Sequence, residues 1–173
     1  VTIANGASCG YDEHQHTEQC DQNGCSLAEH THSVSCYSDP NADIETAEIW
    51  EATLPSDLGS YWSENLARIA VSQIGVRESE RNFVLADDGE TRQGITRYGQ
   101  WYGNPHGDWS AMFVAFCLNY AEVPIAAIPR SSGVYNMMQL CTEKGILSLP
   151  DTYVGKNGNL LFLDTDGNGN ADK

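Results

Sequence analysis

Gly107-Asp108-Trp109-Ser110-Ala111-Met112-Phe113-Val114-Ala115-Phe116-Cys117 is the stretch on which the reading of the whole chain turns. Before it, Gly103-Asn104-Pro105-His106-Gly107 has the composition of a tight loop, and Asp108 is a good helix N-cap. The apolar run that follows predicts a buried central helix from Trp109 to about Ala121, hydrophobic on nearly all faces. Residue 110 then sits in the first helical turn, where unpaired N–H groups and the helix dipole favour negative charge. A cysteine there would be driven toward thiolate. Serine would not, because its hydroxyl is too weak an acid for the dipole alone and needs an adjacent base. The sequence thus places Ser110 where the local structure suits a cysteine nucleophile.

The chain of 173 residues has room for one ordinary domain and a small module. Nine Lys and Arg stand against 24 Asp and Glu, a net charge of -15, which argues against sequence-independent binding to nucleic acid or to an anionic membrane surface. No run approaches the ~18 apolar residues of a membrane span, so no membrane insertion is expected. No secretory signal opens the sequence, and Val1 reads as a mature or engineered start.

Four of the six cysteines and four of the five histidines lie in an internal repeat. Cys9, His14, His16 and Cys20 overlay Cys25, His30, His32 and Cys36, both copies spelling C-x4-H-x-H-x3-C. Each copy carries a full set of four zinc-type ligands. An extended H-x-H segment puts both imidazoles on one side, so two tetrahedral Cys2His2 sites are expected, one per copy or shared between copies. The alternative is a pair of disulfides, Cys9 with Cys20 and Cys25 with Cys36, which leaves four regularly placed histidines unexplained. In either case so few large apolar residues accompany the repeat that metal or cross-links must order it, in a structural role. Cys117 and Cys141, isolated in helical patterns, read as core packing.

These features divide the chain into a Cys/His double-repeat module at 1–38, an acidic linker at 39–60 with Trp50 and Leu54 as docking points, and a domain at 61–173. Ser63 is expected to cap an amphipathic helix carrying Leu66, Ile69, Ala70 and Ile74, stopped by Gly75. Asp88-Gly89 marks a hairpin turn, and Tyr98, Trp101 and Tyr102 cluster ahead of the Ser110 loop. Trp101, Tyr102, His106 and Trp109 are the candidates for a substrate groove, His106 being a rim residue and not the base. Ser131 or Ser132 is expected to start a helix through Met137, Met138 and Cys141 that ends at Gly145. Gly158-Asn159-Leu160-Leu161-Phe162-Leu163 reads as a short buried strand. It leads into a loop whose Asp164, Asp166, Asn168, Asn170 and Asp172 match the first oxygen ligands of an EF-hand-type Ca2+ loop, with an Asx-rich turn as the alternative.

Taken together, Arg68 to Gly75, Thr96-Arg97-Tyr98-Gly99-Gln100-Trp101-Tyr102-Gly103, Gly107 to Val114, and Gly158 to Asp164 resemble the CHAP domain. CHAP domains are cysteine, histidine-dependent amidohydrolases/peptidases related to NlpC-like cell-wall enzymes. The resemblance covers about residues 61 to 173, and the double repeat is similar to segments that precede such domains in secreted proteins of Gram-positive gut bacteria. It implies an α+β, papain-like fold and a cysteine nucleophile activated by histidine that attacks peptidoglycan amides through a thioacyl intermediate. The family cysteine matches Ser110, and the family histidine is expected at Lys173 or beyond. The later strands of the fold are not in the sequence, so the chain is expected to be a fragment or to be completed by a partner segment.

The expectation is therefore a secreted, cell-wall-associated peptidoglycan amidase or endopeptidase. Ser110 marks its nucleophile position, Asp108 caps the helix, and the N–H of residue 110 contributes to an oxyanion hole. Serine at 110 is an engineered Cys→Ser change, a natural pseudoenzyme or, last, a serine-active variant. The reading from a different class is a non-catalytic module that binds cell wall or protein.

Overall fold

The structure, a computed structural model, describes residues 7–11, 13–17, 25–149 and 153–173. The chain divides into two compact units, one formed by residues up to Asp43 with Glu78–Ile95, the other by Ile44–Arg77 with Thr96–Lys173. Helices and one small two-stranded sheet make up the described residues, compatible with α+β.

In the first unit, strands β1 (Phe83–Leu85) and β2 (Arg92–Gly94) form an antiparallel hairpin in the register Phe83 to Gly94. The Asp88-Gly89 turn is where the sequence predicts it. Asp88 Oδ1 accepts from Glu90 N at 2.9 Å and Thr91 N at 2.8 Å, and Gly89 takes φ 72°, a region that suits glycine. The Thr91 hydroxyl, with those two amides, holds the Asp88 carboxyl below its ordinary value. Ser38 Oγ donates to Phe83 O and accepts from Phe83 N, and Asn82 Nδ2 donates to Pro40 O and Ala42 O. These bonds tie β1 to the chain just after a 3-10 turn at Val34–Tyr37.

The second unit packs around one helix. In chain order it holds α1 (Ala47–Glu51), α2 (Trp62–Ser72), α3 (Arg97–Tyr102), α4 (Ser110–Tyr120) and α5 (Val134–Glu143). Helix α4 is buried at Ala111, Met112, Ala115, Phe116, Cys117 and Leu118, which covers nearly every face, as its composition predicts. Leu66 and Ile69 of α2 and Met137 of α5 close on it. Each fully buried Ile, Leu, Met or Phe side chain contributes about 1.5–3 kcal/mol.

Residues 44–60, expected within a linker, instead belong to this core. Trp50 is buried, and its Nε1 donates to the Tyr120 hydroxyl at 2.8 Å, which donates in turn to Glu51 Oε1 at 3.1 Å. Arg97 is the polar fastener. Its Nε and Nη2 reach Glu45 Oε2 and Oε1 at 2.6 and 3.1 Å, and its Nη1 reaches Gln73 Oε1 at 2.9 Å and Thr53 Oγ1 at 3.1 Å. One buried guanidinium thus joins the segment before α1, the loop after it, the end of α2 and the start of α3.

Three local expectations shift. Tyr61, not Ser63, occupies the N-cap of α2, and Ile74 lies beyond its end and is exposed. Helix α5 starts from Gly133, with Ser131 Oγ accepting from Gly133 N. Gly158 lies in a turn at φ 84°, and residues 159–163 pair in no sheet among the described residues; Leu160 and Phe162 pack on the core while Leu161 and Leu163 face outward. Period-2 alternation was present, but a strand also needs a neighbour to bond. Gly158 lies so close to α2 that a Cβ there would fall 2.5 Å from Ser63 Cβ, which fixes where this segment runs.

Helix α4 ends in a Schellman motif, with Glu122 N bonding Asn119 O at 3.1 Å and Val123 N bonding Leu118 O at 3.0 Å. Glu122 occupies the left-handed position at φ 59° that usually takes glycine. Glu122→Gly is expected to raise stability by about 1 kcal/mol in urea unfolding, the left-handed conformation costing a Cβ-bearing residue ~1–2 kcal/mol. Arg97→Met is expected to lower it by about 3 kcal/mol, since Glu45 loses its partner.

Candidate functional site

Ser110 is the first residue of α4. Trp109 is the N-cap, and Asp108 lies one position earlier than the sequence predicts. Its carboxylate still serves the helix end, since Asp108 Oδ1 accepts from Ser110 N at 3.2 Å. The N–H expected in an oxyanion hole is therefore occupied by Asp108 in this conformation.

A cleft of about 240 Å³ opens at this point. Ser110, Ala111 and Val114 of α4 form one wall and Val134 and Met137 of α5 another, while Asn159–Phe162 and Lys173 complete it. Lys173 arrives there because Leu163 N donates to Lys173 O at 2.8 Å and Asp172 N to Leu163 O at 2.8 Å, closing the intervening loop. The lining is mostly apolar, and among the described residues no histidine or acidic side chain is part of it.

The residues singled out as a groove do not line this cleft. Trp101 packs against Phe116 and Tyr120, Tyr98 stacks on Trp109 and Phe113, and Tyr102 lies beside Trp101. His106 also lies outside the lining. Aromatics that precede a loop were needed to cover α4. The walls of this cleft contributed by Val134, Met137 and Asn159–Phe162 come from distant segments with no local signature. Of the other thiols, Cys117 is pushed by burial up to about 12 and Cys141 is raised by the same cause, so neither is a nucleophile.

In the loop after Leu163, Asp164, Asp166 and Asp172 come close enough together that they could hold a metal ion, and Asn168 Nδ2 donates to Asp166 Oδ2 at 2.8 Å. Asp164 accepts from the amides of Gly167, Asn168 and Gly169, and Asp172 from the Thr165 hydroxyl and amide. These carboxylates serve the loop's own backbone, the geometry of stacked Asx turns.

The first unit holds two Cys/His groups that could each bind a metal ion: Cys9, His30, His32 and Cys36, and His14, His16 and Cys25. Cys20, the remaining sequence candidate, lies outside the described residues. Cys9 Sγ is 3.4 Å from His30 Nε2 and 3.6 Å from His32 Nδ1, and Cys36 Sγ is 3.6 Å from His30 Nε2. Bonds of about 2.3 Å to sulfur and 2.0–2.1 Å to nitrogen put these atoms about 3.6 Å apart around a tetrahedral ion. The spacing is thus that of a coordination shell. His32, followed by the Ser33 hydroxyl and amide, holds the Cys36 thiol down to about 6, and thiolate is the ligating form. His16 Nε2 sits 2.8 Å from Leu27 O; since a carbonyl only accepts, Nε2 carries the proton and Nδ1 is the basic nitrogen. Cys9, Cys25 and Cys36 are free thiols in this structure.

No family model matches this chain, and no curated protein or solved structure matches it.

Proposed function

We propose that the second unit is the papain-like, CHAP-type part of a secreted peptidoglycan amidase or endopeptidase, present here in a form that binds without cutting. One observation carries this reading: Ser110, at the mouth of the buried helix, and Lys173, where the resemblance expects the histidine, line the same cleft. With cysteine at 110 and histidine at 173, the imidazole would keep the thiol ionised and the thiolate would attack the amide carbonyl carbon. The protonated imidazole would then give its proton to the leaving amine, and water would release the acyl group. The N–H of residue 110 would stabilise the oxyanion once the Asp108 carboxylate withdraws. Among the described lining residues, no imidazole or acidic side chain stands with Ser110. The same feature favours the second reading, a non-catalytic wall-binding module. The parent chain is expected to co-sediment with purified peptidoglycan, and Ser110→Trp, which fills the cleft mouth, to abolish this. Ser110→Cys/Lys173→His is expected to release amino groups from the same material. Binding without release in the double variant selects the binding module; no binding by the parent overturns both readings.

We further infer that both Cys/His groups hold structural zinc. Mixed thiolate and imidazole donors at tetrahedral spacing favour Zn2+, and four protein ligands around the Cys9 group leave no open position for catalysis. Elemental analysis of the purified protein is expected to find one zinc per group and an intact mass equal to that of the fully reduced chain. Chelation is expected to remove the metal and unfold this segment. Absence of zinc with a mass deficit of about 4 Da, two disulfides' worth of hydrogen, would reject the assignment.

A further inference from the structure

The two copies of the repeat do not each close on themselves. His14 N donates to His30 O and His30 N to His14 O, both at 2.8 Å, so the two H-x-H segments lie antiparallel as a reciprocal bridge. Within each segment the imidazoles meet edge-on, with centroids 5.1 Å apart for His14–His16 and 4.9 Å for His30–His32. The pairs are thus related by an approximate two-fold through the bridge. The first cysteine of each copy crosses it. Cys9, from the first copy, sits against His30 and His32 of the second. Cys25, from the second, sits 3.2 Å from His14 Nε2 of the first.

We propose that the two metal sites exchange ligands between the copies: Cys9 completes a site with His30, His32 and Cys36, while Cys25 belongs to the site of His14 and His16. The chemistry supports the exchange at both ends. An antiparallel bridge alone aligns the two histidine pairs but leaves each copy's leading cysteine beside the partner pair, since the strands run in opposite directions. The bound ions then act as cross-links between copies, and neither copy contains a whole site of the kind seen at Cys9. Ser8 reinforces the crossing, its N and Oγ donating to Cys36 O at 2.6 and 3.0 Å, so the segment carrying Cys9 is fastened beside Cys36 by backbone as well as by metal. Consequently each site draws its donors from both copies of the repeat.

The proposal rests on the reading that these groups bind metal, and one experiment separates the two. The full chain is loaded with an NMR-active cadmium isotope and a proton–cadmium correlation spectrum is recorded. One cadmium resonance is expected to correlate with the β-protons of Cys9 and Cys36 and the ring protons of His30 and His32, a second with those of Cys25, His14 and His16. A resonance that joins Cys9 to His14 and His16 overturns the exchange while leaving metal binding intact. Failure to take up cadmium overturns the metal reading and the exchange with it. In a Cys9→Ala chain the resonance coupled to His30 and His32 is expected to disappear, with affinity at that site falling by more than the ~10–100-fold that loss of an outer-shell partner costs. Loss of the His14 and His16 resonance instead, with the His30 resonance retained, overturns the exchange.

Discussion

Burial of α4 on nearly all its faces is the constraint to which the second unit conforms. A helix apolar on nearly every side must be surrounded, and a single amphipathic partner covers only one stripe of it. Helix α2 supplies Leu66 and Ile69, α5 supplies Met137, and the Phe116 ring lies 5.4 Å from Tyr98, 5.5 Å from Trp101 and 4.7 Å from Tyr120. Trp50 joins the same core. Once the flanks are covered, the N-terminus is where the helix meets a cleft, and Ser110 is the residue placed there. The position of the candidate site follows from packing.

The first unit meets a different physical problem. Among the described residues its buried apolar side chains are few: Ala7, Ala42, Phe83 and Ile95. Such a core cannot offset the conformational entropy of ordering the chain. Polar fasteners supply part of what it lacks. Ser38 and Asn82 clamp β1, Asp88 holds the hairpin turn, and the Cys/His groups gather chain segments that bury little else. Metal ligation concentrates much binding free energy on a few side chains, which suits a segment with little apolar area.

Several features were legible from local sequence because their causes are local. The buried character of α4, the Asp88-Gly89 hairpin, the core placement of Cys117 and Cys141 and the extended H-x-H segments all follow from composition or short spacing. The paired repeat also picked out every residue that the two Cys/His groups bring together. Other readings failed where a local signal had a distant cause. Trp101 and Tyr102 precede the Ser110 loop in sequence, yet the need to cover Phe116 took Trp101 into the core. The acidic stretch at 44–60 looked like a linker because nothing nearby revealed that Arg97 would neutralise Glu45 and that Trp50 would find Tyr120.

The sequence by itself determined the candidate residues: the serine at the head of an apolar helix and the cysteines and histidines at a regular repeat. These depend on residue type and on spacings of a few positions, where backbone geometry leaves little choice. Only the tertiary structure decided how they combine. It brought Lys173 and Asn159–Phe162 to the mouth of α4 and sent Cys9 and Cys25 across to each other's histidines. Such pairings are set by which distant surfaces pack and which strands run antiparallel, and no local pattern encodes either.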